Sequence, residues 1–249
     1  MVAIPPRYVP AKTSVTLWFG DCLVEMNKIA AGSIDLILCD LPYGTTECRW
    51  DVVLPFKPLW EQYRRVLKTD GAVVLTASQP FTSALVMSNP KAFKHGWIWN
   101  KRFAGNFATA KYAPMKIHED VLVFSFGRVQ YRPLMLKRDK PIKLGANKCR
   151  SSSAKISHAK SEYEGKIYDT KFPESILLYP RERGLHPTQK PVALMEYLIR
   201  TYTNRGDTVL DNCMGSGTTG VAAKRLGRHF IGIENDPEHF ETARRRINE

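Results

Sequence analysis

Hydrophobic and polar positions fall in blocks along this 249-residue chain, and the block lengths predict its elements. SVTLWFGDC (14–22) is a short β-rich run that turns polar at Asp21, and VEMNKIAAG (24–32) reads as a brief helix stopped by Gly32. SIDLILCD (33–40) is an unbroken apolar run ending on Asp40. Its shortness and β-branched content predict a strand covered on both faces, as in a parallel sheet. In PFKPLWEQYRRVLKTDG (55–71), Leu59, Trp60, Tyr63, Val66 and Leu67 recur at helical spacing, with Gly71 as the expected stop. AVVLTAS (72–78) is the next strand, PFTSALVMSN (80–89) a helix, and GWIWNKR (96–102) and EDVLVFSFG (119–127) two further strands.

From Arg128 to about Arg183 the pattern decays into prolines, a Ser-rich run and little periodicity, which predicts an irregular insertion. Order returns with an amphipathic helix in KPVALMEYLIRTYTN (190–204) and a strand in GDTVLDN (206–212). A glycine turn leads into the helix TTGVAAKRLG (218–227), the strand HFIGIE (229–234) and a closing helix PEHFETARRRIN (237–248). Strands alternating with helices predict an α/β class with a mostly parallel sheet and helices on both faces. The expected main domain spans 1–127 and 184–249, with 128–183 inserted into it.

Composition adds partners to this picture. The net charge is +13, an excess that attracts polyanions. Residues 128–171 hold 12 Lys/Arg against 4 Asp/Glu, and residues 91–118 hold 6 Lys/Arg and no acid. Trp97, Trp99, Phe103, Phe107 and Tyr112 are interleaved with the latter, a combination suited to nucleic acid. The five cysteines are scattered without a CxxC pair, so neither a disulfide framework nor a structural zinc site is expected. No metal is expected. Neither a membrane span nor a signal peptide is visible, and a soluble, cytoplasmic protein is the expectation.

The chemistry concentrates in two turns. Gly215, Gly217 and Gly220 satisfy G-x-G-x-x-G between a predicted strand and helix, and Glu234 ends the following strand. Glycines allow close backbone approach, and an acid at that strand tip accepts hydrogen bonds from ribose hydroxyls. An adenosine-containing ligand is therefore expected. A dinucleotide fold would need a second βαβ half, yet only 14 residues follow Asn235. The remaining strands must come from the N-terminal half, which makes the expected fold a circularly permuted, doubly wound, Rossmann-like sheet.

The second turn is DLPYG (40–44) at the end of the buried strand. Pro42 holds Leu41 extended, so that a backbone carbonyl can point into the cleft beside the Asp40 carboxylate. Tyr43 offers an aromatic face. Two acceptors plus a stacking ring suit a planar base with an exocyclic amine, freeing its lone pair for attack on a methyl sulfonium. Such a base must be flipped out of its helix.

These residues resemble the β-class amino DNA methyltransferases, in which a D/N/S-P-P-Y/F motif precedes the S-adenosyl-L-methionine motif. DLPYG is similar to the first, DNCMGSGTT (211–219) to D-P-F-x-G-S-G-T-T, HPTQKP (186–191) to H-P-x-Q-K-P, and HEDVLVFS (118–125) to H-E-x-[IL]-L-V-F-S. The departures are Leu41 for the first proline and Asn212–Cys213 for Pro-Phe. The resemblance implies that Asp40, Leu41, Pro42 and Tyr43 act on the target amine. It implies that Asp211, Gly215, Gly217, Thr218 and Thr219 line the methionine part of the cofactor, with Glu234 on the ribose and Asp40 also bordering the site. Thr188 and Lys190 are expected near the cofactor's amino acid end, and Asp21 near its adenine edge. The insertion 128–183 is implied to be the target-recognition region. Lys101, Arg102, Lys111, Lys137, Arg138, Lys143 and Lys148 are the expected DNA-binding residues.

The implied activity is adenine-N6 methylation of double-stranded DNA, as a monomer or homodimer, with the protein held on the nucleoid through its DNA. Cytosine-N4 or RNA-base methylation, and a non-catalytic nucleic-acid-binding module, are the alternatives. An endonuclease of a restriction-modification pair is not visible in the sequence.

Overall fold

The computed structural model describes residues 13–46, 48, 51–105, 107–144, 166–182 and 189–249. Its elements are β1 (Val15–Phe19), α1 (Cys22–Glu25), β2 (Ile34–Cys39), α2 (Phe56–Val66), β3 (Leu67–Ala77), α3 (Phe81–Ser88), β4 (Phe93–Asn100) and β5 (His118–Phe124). There follow β6 (Leu136–Leu144), β7 (Lys166–Lys171), β8 (Ile176–Leu178), α4 (Val192–Tyr202), β9 (Thr208–Asp211), α5 (Thr218–Arg225), β10 (His229–Glu234) and α6 (Pro237–Asn248). The chain divides into two compact units, 1–132 with 175–249, and 133–174.

The larger unit is built on an eight-stranded sheet of order β1-β10-β9-β2-β3-β5-β4-β8. The first five of these run parallel. β5 is antiparallel to both neighbours, and β8 lies parallel to β4. β2 shows why the apolar run forms a central strand. Leu36 and Leu38 enter one core cluster, while Ile37 and Cys39 enter the other. From Leu36 to Cys39 both faces are buried and no polar position remains; the one acid of the strand, Asp35, is only partly buried and pairs with Lys68. α2 packs Leu59, Trp60, Tyr63 and Val66 on one side; α4 packs Leu194, Met195, Leu198, Ile199 and Tyr202 on the other. The sheet is therefore doubly wound, and the permuted order follows from β9 inserting between β10 and β2.

Some boundaries differ from the sequence expectation. α2 ends at Val66 and the chain enters β3 directly, so Gly71 is no helix stop. It lies inside β3, where a Cβ would come within 2.9 Å of the Asp35 carbonyl oxygen. The β2–β3 register jumps there, from Ile34 opposite Leu67 to Leu36 opposite Ala72. Within 128–183, residues 176–178 form the edge strand β8, and β6 pairs antiparallel with β7 in the smaller unit. Trp97 and Trp99 are core residues, not part of a nucleic-acid surface: their indole N–H groups donate to the Tyr202 hydroxyl and the Tyr179 carbonyl. Phe103, Phe107 and Tyr112 are the exposed aromatics of that segment.

Candidate active site

The connection from β9 leads to β10 on one side and that from β2 leads to β3 on the other. A crevice opens at such a switch point, beyond the carboxyl ends of the strands. Here it is a cavity of about 590 Å³. Asp40, Leu41, Pro42 and Tyr43 line it from the β2 end, and Asp211, Gly215, Thr218, Thr219 and Glu234 from the β9, α5 and β10 ends. Asp21 and Lys190 also border it. Thr188 lies outside the described residues.

The glycine turn is shaped for a ligand. Gly215 has φ +50° and open space where a Cβ would sit. Gly217, at φ +78°, faces away from the cavity; its Cβ would meet the Ala243 Cβ at 2.9 Å, so this glycine seats α5 against α6. Glu234 ties the turn to β10. Its Oε2 accepts from the Gly215 N–H at 2.8 Å, and its Oε1 from the N–H groups of Asn235 and Asp236 at 3.0 and 2.9 Å. That leaves one lone pair, on Oε2, on a carboxylate that lines the cavity. Asp21 caps α1, accepting from Leu23 and Val24 through Oδ1. Burial pushes the Asp211 carboxyl up to about 7. Asn212 and Cys213, the departures from the family pattern, fill their places with a polar cluster. The Tyr63 hydroxyl donates to Asn212 Oδ1 at 2.7 Å, and the Asn212 amide faces the Cys22 and Cys213 sulfurs at 3.6 and 3.5 Å. Burial pushes the nearby Cys39 thiol up to about 12, which keeps it protonated and inert.

Around Asp40 the donors can be counted. Oδ1 accepts from the Tyr43 hydroxyl at 2.8 Å and from the Thr76 hydroxyl. Oδ2 takes the Lys190 ammonium at 2.5 Å. Lys190 also faces Glu119 at 3.4 Å, and Glu119 pairs with Lys101 at 3.1 Å. Four charges thus alternate in sign through the cavity wall. Burial opposes the charge on Lys190, but Asp40 and Glu119 outweigh it and raise its pKa. Burial likewise opposes ionisation of Glu119, and Lys190 and Lys101 outweigh it. Tyr43 stacks on Phe81 with centroids 5.2 Å apart. Burial, then the charges of Asp40 and Glu119, hold its phenol protonated as a donor.

Two lysines sit as follows. The Lys190 ammonium pairs with Asp40 at 2.5 Å in the cavity wall. Lys101 does not sit on an outer face; its side chain is only 12 % exposed and is spent on Glu119. Arg102 and Lys111 are exposed. Lys137 and Arg138 lie on β6 in the smaller unit, with Arg138 Nε donating to the Thr170 carbonyl at 2.8 Å. Lys143 is on β6 as well, and Lys148 is outside the described residues. Thr76, Glu119 and Asp51 escaped the sequence reading. Asp51 accepts from the N–H groups of Gly44, Thr45 and Thr46 and closes the loop after DLPYG. A loop acid seven residues past the motif carries no periodic signal, and Glu119 lies within a strand run whose apolar residues dominate the pattern.

A permuted, doubly wound sheet whose late glycine turn meets an earlier acidic turn in one cavity fits an enzyme that transfers a group from an adenosine-containing cofactor. The chain belongs to the N6/N4 DNA methylase family, which matches it over residues 34–245. It is 30% identical to the DNA adenine methyltransferase YhdJ of Escherichia coli (strain K12), covering 94% of this chain and 82% of that one. It is 29% identical to the type II methyltransferase M.HpaI of Haemophilus parainfluenzae, over 92% and 72% of the two chains. The crystal structure of the M1.HpyAVI–SAM complex superposes with a TM-score of 0.63 at 25% identity, covering 94% of this chain and all of that one. The protein is an S-adenosylmethionine-dependent DNA methyltransferase. Among the described residues no helix is long and apolar enough to cross a membrane.

Proposed function

We propose that the chain methylates the exocyclic N6 amine of an adenine flipped out of double-stranded DNA, and that Asp40 is its central catalytic residue. The observation carrying this reading is that the Asp40 carboxylate and the Gly215 turn border the same cavity. The residues on the cofactor side fit S-adenosylmethionine. The open space at Gly215 admits close backbone approach, Glu234 retains one acceptor for a ribose hydroxyl, and Asp211, which lines the cavity, is read as the partner of a cationic amino group. When bound, the cofactor supplies a methyl group on a sulfonium.

The chain's own residues prepare the amine. Asp40 Oδ1 is fully used by two hydroxyls, so the amine binds Oδ2, and its other N–H meets the Leu41 carbonyl. Holding both N–H groups withdraws the nitrogen lone pair from the ring and turns it toward the methyl donor. As the N–C bond forms, the methyl group's C–S bond would break to leave a neutral thioether, and one N–H proton departs by way of Asp40 toward solvent. Tyr43 offers its ring to the extruded base. The adenine assignment is supported by the acidic first residue of the turn and by the adenine-named relative. The unit 133–174, with Lys137, Arg138, Lys143 and Lys148, is read as the phosphate-binding, target-recognition part.

The test is radiolabelled methyl transfer to duplex DNA followed by nucleoside analysis. Label in N6-methyl-2′-deoxyadenosine is the expected result. Label in N4-methyl-2′-deoxycytidine replaces the target while keeping the chemistry, and binding of DNA without any transfer overturns the catalytic reading.

A further inference from the structure

The Asp40–Lys190 pair has a shape that the proton-holding role of Asp40 does not use. The ammonium lies 2.5 Å from Oδ2 and 5.7 Å from the centroid of the Tyr43 ring, over its face. It borders the cavity. An ammonium has three protons to donate. One goes to Asp40, and a second side of the ammonium faces Glu119 only as an ion pair at 3.4 Å. Glu119 Oε2 is buried with no hydrogen-bond partner, only the 3.4 Å ion pair, so it acts as a tether for the ammonium. The third proton is unassigned.

The amine must bind Oδ2, because Oδ1 is occupied. That places the amine directly beside the Lys190 ammonium, on the same oxygen. In both adenine and cytosine the atom next to the amine on the Watson–Crick edge is an unprotonated ring nitrogen, joined to the amine through a single carbon. Flipped bases are read on that edge. An acceptor and a donor side by side complement an amine and a ring nitrogen side by side, as a pairing base does.

We propose that Lys190 reads the target base by donating a hydrogen bond to the ring nitrogen adjacent to the amine, N1 of adenine, with Glu119 as the positioning residue that keeps the ammonium in place. The pair Asp40–Lys190 then recognises the N–C=N edge as a unit. Guanine and thymine are rejected because each presents a protonated ring nitrogen and an oxygen there, so that donor faces donor and acceptor faces acceptor. This proposal rests on the assignment of Asp40 to the target amine.

The test compares duplexes in which the methylated position, located by the nucleoside analysis above, carries adenine or 1-deazaadenine, where N1 is replaced by CH. Wild type should lose roughly ten- to a hundredfold in kcat/KM on the deaza duplex, the range expected for a hydrogen bond to a charged group. Lys190→Met should be slower on adenine and should show no further loss on 1-deazaadenine. Cofactor binding and the far-UV spectrum are the controls for its fold. If Lys190→Met does not fold, Lys190→Gln serves, with discrimination reduced but present because an uncharged N–H remains. Equal discrimination by wild type and variant, or none by wild type, overturns the proposal, since a merely structural lysine would slow both substrates alike. If the nucleoside analysis finds cytosine, the pair becomes cytosine and 3-deazacytosine with the same expectation. Failure of the adenine assignment and failure of the edge reading are thus seen in different experiments.

Discussion

At the residue scale, two carboxylates bordering one cavity are held in opposite ways. Asp40 is surrounded by donors: Tyr43 and Thr76 on Oδ1, Lys190 on Oδ2. Removing it should abolish methyl transfer while S-adenosylmethionine still binds, measured by turnover beside calorimetric affinity; near-normal turnover of Asp40→Ala would sink the assignment of the amine acceptor. Thr76→Val keeps the shape and deletes one donor. It should lower kcat by about tenfold, the worth of one hydrogen bond to a charged group, with cofactor affinity unchanged. Asp211 has the reverse environment, since burial raises its pKa to about 7. The sign follows from linkage. Its contribution to stability is fully present below its unfolded value near 3.8 and is lost as pH rises through about 7. A cationic group bound beside it favours the ionised form. Cofactor affinity should therefore rise as pH rises through about 7, with proton release on binding below that pH. Calorimetry near pH 6 in buffers of different ionisation enthalpy reads that proton, and Asp211→Asn should abolish both effects. Of these residues, Asp40 stood out in the sequence because it ends an apolar run just before a turn, and Asp211 through the resemblance of DNCMGSGTT to the family motif. Thr76 was not legible, and Glu119 only as a letter of HEDVLVFS, since their roles arise only when strands separated in sequence lie side by side.

At the scale of elements, the glycine turn separates two tasks that its sequence spacing runs together. Gly217 seats a helix and Gly215 leaves room for a ligand. Gly217→Val sets a β-branched residue at φ +78° with its Cβ 2.9 Å from the Ala243 Cβ. Strain of this kind costs about 1–3 kcal/mol. In a chain of this size the melting temperature should fall by roughly 3–10 °C. Gly215→Ala has backbone strain but no clash. It should leave melting nearly unchanged relative to Gly217→Val and weaken cofactor binding instead, because its methyl group occupies the cradle. A melting loss in Gly215→Ala equal to that of Gly217→Val would show that the two glycines do one job. The strand–turn–helix unit was readable because period and punctuation coincide there. β8 was not, because three residues carry no period. The α2–β3 junction was misplaced at Gly71 for a related reason: apolar Leu67 fits a helical and an extended pattern equally, and only the pairing with Ile34 decides between them.

At the scale of the whole molecule, the charge surplus is distributed between the two units. Residues 133–174 carry 10 Lys/Arg against 5 Asp/Glu. In the larger unit, the segment 91–118 has cations and no acids, but Lys101 there is neutralised by Glu119 from the next strand. A paired cation releases no counterion when DNA binds, so the count of positive residues overstates that segment's share of the electrostatic affinity. In the smaller unit Lys171 is likewise paired, with Glu174, and the rest of its ten cations should contribute to the salt dependence. Replacing Lys137, Arg138, Lys143 and Lys148 together by Gln should weaken binding to duplex DNA. The slope of log K against log salt should become shallower by about one for each phosphate left without its cation. The double replacement of Arg102 and Lys111 should flatten it less. Because cations on phosphates position the protein without reading sequence, the loss should be the same on methylated and unmethylated duplexes of any sequence, and kcat at saturating DNA should be preserved. Fluorescence anisotropy across a salt series measures both slopes. An unchanged slope in the quadruple variant, with a flattened one in the double variant, would move the DNA-binding face to the loop after β4.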